Sequence, residues 1–346
     1  MIAPSTPGSV AICVCSYERP SSLARCLASL ERLETADLPD AAVRIVVVDN
    51  SETGSAHDVV ATHASRSRYA VRYVHEPAKG LSRARNAALA AVRDGGEEAL
   101  AFIDDDEVAT PAWLGALRAA LVRTAAPAAV GPVHPIFEER PPEYALRGGF
   151  FADGNPHDAI YADEGRTNNV LIACAPLARA GVGFDDAFDE LGGEDTAFFR
   201  ALAARGWRIA VAHDAIVHEW VPPRRVRLAW LAQRWYRTGA VEARTQRHPY
   251  GSASGRATAL ARGIVRIGAG GLLAVGTALA GGWRDPSRLV RRVFTIARGA
   301  GLVASAFGHE RREYATPQID ARGQAPSPVP GPRAETRPEI HPELRP

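Results

Sequence analysis

The sequence predicts an α/β protein whose core is a mainly parallel sheet with helices on both faces, followed by a C-terminal helical region. Three observations predict it. Short β-branched runs alternate with helical patterns through the first half of the chain, the order that builds parallel sheets. The stretch 43–50 is too continuous in Val and Ile to be exposed on one face. Ser16-Tyr17, Asp49-Asn50 and Asp104-Asp105-Asp106 each end an expected strand, and ligands of open parallel sheets sit at those carboxyl ends.

In order, Val10–Ser16 reads as a strand, and Pro20 opens a helix to about Leu33. Strand 43–50, helix 55–65, strand 71–75, helix 81–93, strand 99–104 and helix 111–123 follow. Residues 132–167 loosen into Pro-, Gly- and aromatic-rich sequence of the kind found in substrate-facing insertions. A strand at 169–174, a helix at 195–205 with Phe198, Phe199 and Leu202 on one face, and edge strands at 209–212 and 215–218 complete the first region. Three Arg-studded helical stretches follow Pro222-Pro223, and eight prolines after Tyr314 mark a disordered tail. The expected organisation is an α/β domain over 1–221, a basic helical region over 222–314 and a Pro-rich tail over 315–346.

At 346 residues the chain is long enough to bury a substantial core. The four cysteines follow no metal or disulfide spacing, and Cys13 and Cys15 read as buried free thiols suited to a reducing compartment. The first residues carry no basic stretch and no apolar run of signal-peptide length, so the expectation is a cytoplasmic protein. The net charge of +2 conceals an asymmetry. Residues 222–314 hold 17 Arg against four acids, a net +13, while the tail is balanced, which leaves −11 on 1–221.

Phe102-Ile103-Asp104-Asp105-Asp106-Glu107 places four carboxylates directly after a buried strand. Crowded carboxylates raise one another's pKa unless a cation compensates, and a hard ion such as Mg²⁺ or Mn²⁺ does so while bridging to substrate phosphates. Taken alone, the cluster reads equally as a solvated acidic turn before the helix at Pro111. Leu191-Gly192-Gly193-Glu194-Asp195 delivers two acids to a helix start, either as an ordinary cap or as a general base beside a nucleophilic hydroxyl. Asp49-Asn50 is a turn pair or a reader of a nucleobase edge, and Tyr17 is a core aromatic or a stacking platform. His218 ends a strand, and it gains interest only because the acidic site lacks a nitrogen ligand.

Five motifs in this order resemble family 2 of the inverting glycosyltransferases, which have the GT-A fold, a Rossmann-like α/β architecture. They are Val14-Cys15-Ser16-Tyr17-Glu18-Arg19-Pro20, Val46-Val47-Val48-Asp49-Asn50-Ser51, Lys79-Gly80-Leu81-Ser82-Arg83-Ala84-Arg85-Asn86, Phe102-Ile103-Asp104-Asp105-Asp106 and Gly193-Glu194-Asp195-Thr196. The resemblance implies a nucleotide-diphosphate sugar donor, with Tyr17 and Asp49 on the nucleobase and Asp104 on the ribose. It places Asn50, Asp105, Arg83, Arg85 and Asn86 in the donor site, the last three without individual roles. It implies a Mn or Mg ion on Asp106, with His218 as a further ligand, Asp195 as general base and Glu194 assisting the acceptor. Processive members carry Gln-x-x-Arg-Trp, and Gln233-Arg234-Trp235 lacks the two intervening residues, which favours single addition.

In the basic third, residues 267–282 are uncharged and mostly apolar, but six of the sixteen are Gly. A span wants roughly 20 apolar residues, so interfacial helices on an anionic inner leaflet are one expectation and a helical subdomain packed on the core is the other. No recognition motif accompanies the basic charge, so nucleic acid is not expected as a partner. A saccharide or lipid-linked saccharide is the expected acceptor. The competing functions are a nucleotidyltransferase, whose Gly-rich phosphate loop is absent after the first strand, and an inactive binding protein recruited to the membrane.

Overall fold

The computed structural model describes residues 6–35, 38–151, 159–162, 164–189, 192–245 and 252–309. The expected tail, and Leu191 of the second acidic motif, lie outside them. The chain opens with β1 (Val10–Ser16), α1 (Pro20–Leu30), β2 (Val43–Asp49), α2 (His57–Ala64), β3 (Ala70–His75), α3 (Leu81–Gly95) and β4 (Ala99–Ile103). These strands lie side by side in the order β3-β2-β1-β4, all parallel, with Val10 opposite both Val43 and Ala99.

Strand alternation sends every second residue to opposite faces, and both faces are covered. Val10, Ile12 and Val14 pack with Leu23, Leu27 and Leu30 of α1. Those three helical residues recur at i, i+4 and i+7, the spacing of one helix face. Ala11 and Cys13 face the other way, onto Ala84, Ala88 and Val92 of α3. All four cysteines are free thiols, and burial pushes Cys13 and Cys26 well above the usual thiol range.

Beyond β4 come β5 (Glu107–Ala109), α4 (Trp113–Thr124), β6 (Ala128–Val130), β7 (Val133–Phe137), α5 (Glu143–Arg147), β8 (Tyr161–Ala162), β9 (Asn169–Ala173), α6 (Cys174–Ala180), α7 (Glu194–Ala203), β10 (Ile209–Val211) and β11 (Val217–Val221). The large sheet continues β4-β9-β6-β10-β8, with β9 antiparallel to both neighbours. A second sheet has the order β5-β11-β7. Two expectations are corrected here. The 215–218 segment belongs to the central strand of the small sheet, and 209–212 pairs on both sides, so neither is an edge. Asn169 ties the two sheets together. Its amide donates to the carbonyls of Pro132 at 3.0 Å and Ala215 at 2.7 Å, and its oxygen accepts from the buried Trp113 indole at 2.8 Å.

Three long helices come next: α8 (Leu228–Arg244), α9 (Ala253–Leu279) and α10 (Pro286–Ala306). The glycines of this region bring backbones together. A Cβ on Gly239 would strike the Arg298 carbonyl, and one on Gly301 the Tyr236 carbonyl, so α8 and α10 pack closer than any side chain permits. Leu231, Val290 and Phe294 also bury against Phe150, which anchors the helices to the first region. Helix α9 is long and apolar enough to cross a membrane by length and composition, yet little of it is buried, and Val265, Leu272 and Leu279 are 70%, 78% and 84% exposed.

Candidate active site

A cleft of about 520 Å³ opens at the carboxyl ends of the parallel strands, where loops after β1, β2 and β4 meet the start of α7. The loop after β1 contributes Ser16, whose hydroxyl donates to Asp105 at 2.8 Å, and Arg19, which reaches Asp105 at 3.2 Å and Asp106 at 3.1 Å. Glu18 between them holds a positive φ of 52°, a conformation that costs a non-glycine residue energy and bends the loop over the acids. Tyr17 is 37% exposed, with the Lys79 ammonium 4.7 Å from its ring centroid.

The turn after β4 is held from below. Glu107 is buried and its carboxylate accepts from the Asp104 backbone at 2.9 Å, while the Trp220 amide of β11 donates to the Asp106 carbonyl at 3.2 Å. The small sheet thus sets the height of the acidic turn. Desolvation pushes Asp104 up to about 7, with Arg85 opposing and Asp106 and Asp105 adding to the shift. Asp105 is pushed up to about 6 by burial, against the pull of Arg19.

Asp106 is the most contested group. Its Oδ2 accepts from both Arg19 and Arg225, the latter at 2.9 Å, and Arg225 also pairs with Glu219. Burial pushes Glu219 upward, with Arg225 opposing. On the α7 side, Glu194 is buried and paired with Arg85, which lies 3.8 Å from Asp104. Arg85 therefore links the two acidic motifs. Asp195 is half-buried, and its Oδ1 accepts from the Thr196 amide at 2.6 Å. Gly193 precedes them at φ 90°, and a Cβ there would collide with Val241 of α8, so the turn needs glycine on two counts.

Of the residues expected here, Tyr17, Asn50, Arg85, Asp104, Asp105, Asp106, Glu194 and Asp195 line the cleft. Asn50 does so with its side chain spent on the loop beyond β3: it donates to the carbonyls of Glu76 and Ala78 and accepts from the Gly80 amide. Four of the expected residues do not line the cleft. Asp49 is fully buried, and its oxygens accept from the amides of Ser51 and Ala56, the Ser51 hydroxyl and the Tyr73 hydroxyl, which leaves none for a base. Arg83 turns to Asp189 and Asp186, and Asn86 binds the backbone of Phe184 at both ends of its amide. His218 faces away from the cleft, its ring 6.0 Å from that of His134, because strand alternation gives Glu219 the inward place.

The cleft also takes Lys79, Asp189, Glu219, Arg225 and Arg237, to which sequence reasoning gave no role. Asp189 caps α3 by accepting from the Ser82 amide at 2.7 Å. The one available signal for Arg225 was its place in Arg224-Arg225-Val226-Arg227 beside the strand carrying Glu219.

Residues 11–174 match the family described as Glycosyl transferase family 2. The succinoglycan biosynthesis protein ExoM of Rhizobium meliloti (strain 1021) is 34% identical over 232 residues, which cover 67% of this chain and 73% of ExoM. The mannosyltransferase PcManGT from Pyrobaculum calidifontis, solved with GDP-Man and Mn²⁺, shares the fold at a TM-score of 0.55 and 21% identity, over 86% of this chain and 87% of that one. The S. aureus TarS structure gives a TM-score of 0.45 and 16% identity, over 69% of this chain and 40% of TarS. From its motifs, its GT-A-like sheet and its relatives, the chain belongs to glycosyltransferase family 2.

Proposed function

We propose that this glycosyltransferase moves a single sugar, with inversion, from a nucleotide-diphosphate sugar to a hydroxyl of a saccharide or lipid-linked saccharide during polysaccharide synthesis. The observation that carries this reading is the convergence in one cleft of Asp104-Asp105-Asp106 with Asp195, from motifs about ninety residues apart in sequence. ExoM is described as a succinoglycan biosynthesis protein, which supports polysaccharide synthesis as the context. PcManGT, of like fold, is described with GDP-Man and Mn²⁺, which supports a nucleotide-sugar donor and a divalent ion.

Among the described residues no group of three or more His, Cys, Asp and Glu has metal-holding geometry. Asp106 and Asp104 would hold a divalent ion, since they offer hard carboxylate oxygens side by side in the cleft. When bound, that ion neutralises the departing diphosphate. Tyr17 and Lys79 form one end of the cleft, suited to a base and its adjoining phosphates. Arg19 and Arg225 bring positive charge to the leaving group, and Asp195 takes the acceptor proton while Arg85 fixes Glu194 beside it. The acceptor oxygen then attacks in line as the glycosidic bond to the diphosphate breaks.

The test separates base from donor site. Asp195→Asn removes the proton acceptor at constant shape, so turnover is expected to fall about 10²–10⁴-fold with donor affinity retained. Asp106→Ala is expected to lose nucleotide binding itself, read by calorimetry with and without Mn²⁺. Near-normal transfer by Asp195→Asn across the pH range would overturn the assignment and turn attention to Glu194.

A further inference from the structure

A second cavity, of about 410 Å³, lies on the helical region. Its floor is aromatic: Phe294 sits edge-on to Phe150 with centroids 4.7 Å apart and stacks with Trp235 at 5.8 Å. Its charged lining is Arg266, Arg291 and Arg298, with no acid among the described residues that line it. Arg266 and Arg298 share a carboxylate, that of Glu242, with Arg262, so three guanidiniums meet a single negative charge. Arg291 carries a fourth, and its hydrogen bond goes to the neutral carbonyl of Arg147 at 2.8 Å. The cluster therefore keeps an excess of three positive charges beside an open, aromatic-floored hole. Trp235 lines this cavity and Arg237 the catalytic cleft. Two residues apart on α8, they project roughly 200° from one another, so the helix divides the two sites.

Guanidinium forks match phosphate oxygens in geometry and charge, and aromatic rings accept the apolar part of an amphiphile. An exposed apolar element adjoins it: α9 supplies Arg266 to this cavity and exposes Val265, Leu272 and Leu279 to its surroundings. We propose that the cavity between Phe150, Trp235 and Phe294 and the arginines 266, 291 and 298 binds the phosphate or diphosphate headgroup of a membrane lipid. It rests on the membrane-attached reading of the basic helices and adds to it a specific headgroup site, separate from the donor cleft.

The test uses the full chain and three vesicle compositions: phosphatidylcholine alone, phosphatidylcholine with phosphatidylglycerol, and phosphatidylcholine with phosphatidic acid at matched surface charge. Binding is expected to both anionic surfaces and to be tighter to the phosphomonoester lipid. Arg291→Gln, an exposed change outside the cleft, is expected to weaken phosphatidic acid binding roughly tenfold, to the phosphatidylglycerol level. Its hydrolysis of a nucleotide sugar in solution is expected to be unchanged. Arg291→Glu is expected to weaken binding further. Equal binding to the two anionic vesicles, or no effect of either substitution, would overturn the site and leave membrane attachment standing. No binding to any vesicle would overturn both. Capture of inorganic pyrophosphate at Arg291 without vesicle binding would overturn the lipid as its source.

Discussion

Arg225 and Arg19 hold the same oxygen of Asp106, the group proposed to meet the metal and the diphosphate. A carboxylate clamped in this way is charge-balanced, and on the proposed reading the two guanidiniums stand beside the leaving group. Removing one charge-assisted hydrogen bond to the diphosphate, Arg225→Ala is expected to weaken nucleoside diphosphate binding by about tenfold or more in calorimetry with Mn²⁺. Unchanged affinity would remove Arg225 from the donor site. Asp49 predicts the opposite pattern. Four donors converge on its buried carboxylate, and together they hold it below the ordinary range despite the cost of burial. Asp49→Ala is expected to lower stability by roughly 3 kcal/mol, since charged hydrogen bonds disappear and their donors are stranded. Nucleotide affinity measured on the folded protein is expected to hold.

Among the elements, α8, α9 and α10 meet at Glu242. Burial alone would raise its pKa, but Arg298, Arg266 and Arg262 hold it below the usual 4.5. A depressed carboxylate contributes its full stabilisation above the unfolded pKa and loses it as pH falls through the folded one. Protection from hydrogen exchange in the three helices, taken relative to the intrinsic amide rate at each pH, is thus expected to be steady above pH about 4.5 and to fall in more acidic solution. Glu242→Gln is expected to loosen the helices at neutral pH and to flatten that acid response. Its cost should be about 3 kcal/mol, the low end for breaking a buried ion pair, because the arginines stay partly solvated.

For the whole molecule, the cleft is completed by residues C-terminal to the two sheets. Arg225 and Arg237 line the cleft, Val241 packs on Gly193, and Phe150 buries against Leu231 and Phe294. A chain ending at Val221 is therefore expected to lose nucleotide binding and to melt at a lower temperature than the full chain. A truncated chain that bound nucleotide as tightly would confine the donor site to the sheet and its loops. The same helices carry the exposed apolar face of α9, so binding to anionic vesicles is expected to weaken with added salt, as screening of the arginines requires.

Local and periodic features were settled by the sequence alone. The continuous apolar runs of β1, β2 and β4 leave no face for water, and the helical crossovers between the strands allow parallel order, so the sheet and the position of its acidic turn come from pattern. The Gly193-Glu194-Asp195 turn was legible in the same way, because glycine before paired acids at a helix start has few uses. Tertiary structure decided the rest. Strand parity settled that Glu219 and not His218 enters the cleft, since one residue of register exchanges the two faces. Only the packed neighbours determined that Asp49 spends its charge on the protein's own loop, that β9 runs against its neighbours, and that Arg225 crosses from the helical region to Asp106. Hydrogen-bond saturation and contacts between residues over a hundred positions apart leave no periodic mark on the chain, so they become visible only once it has folded.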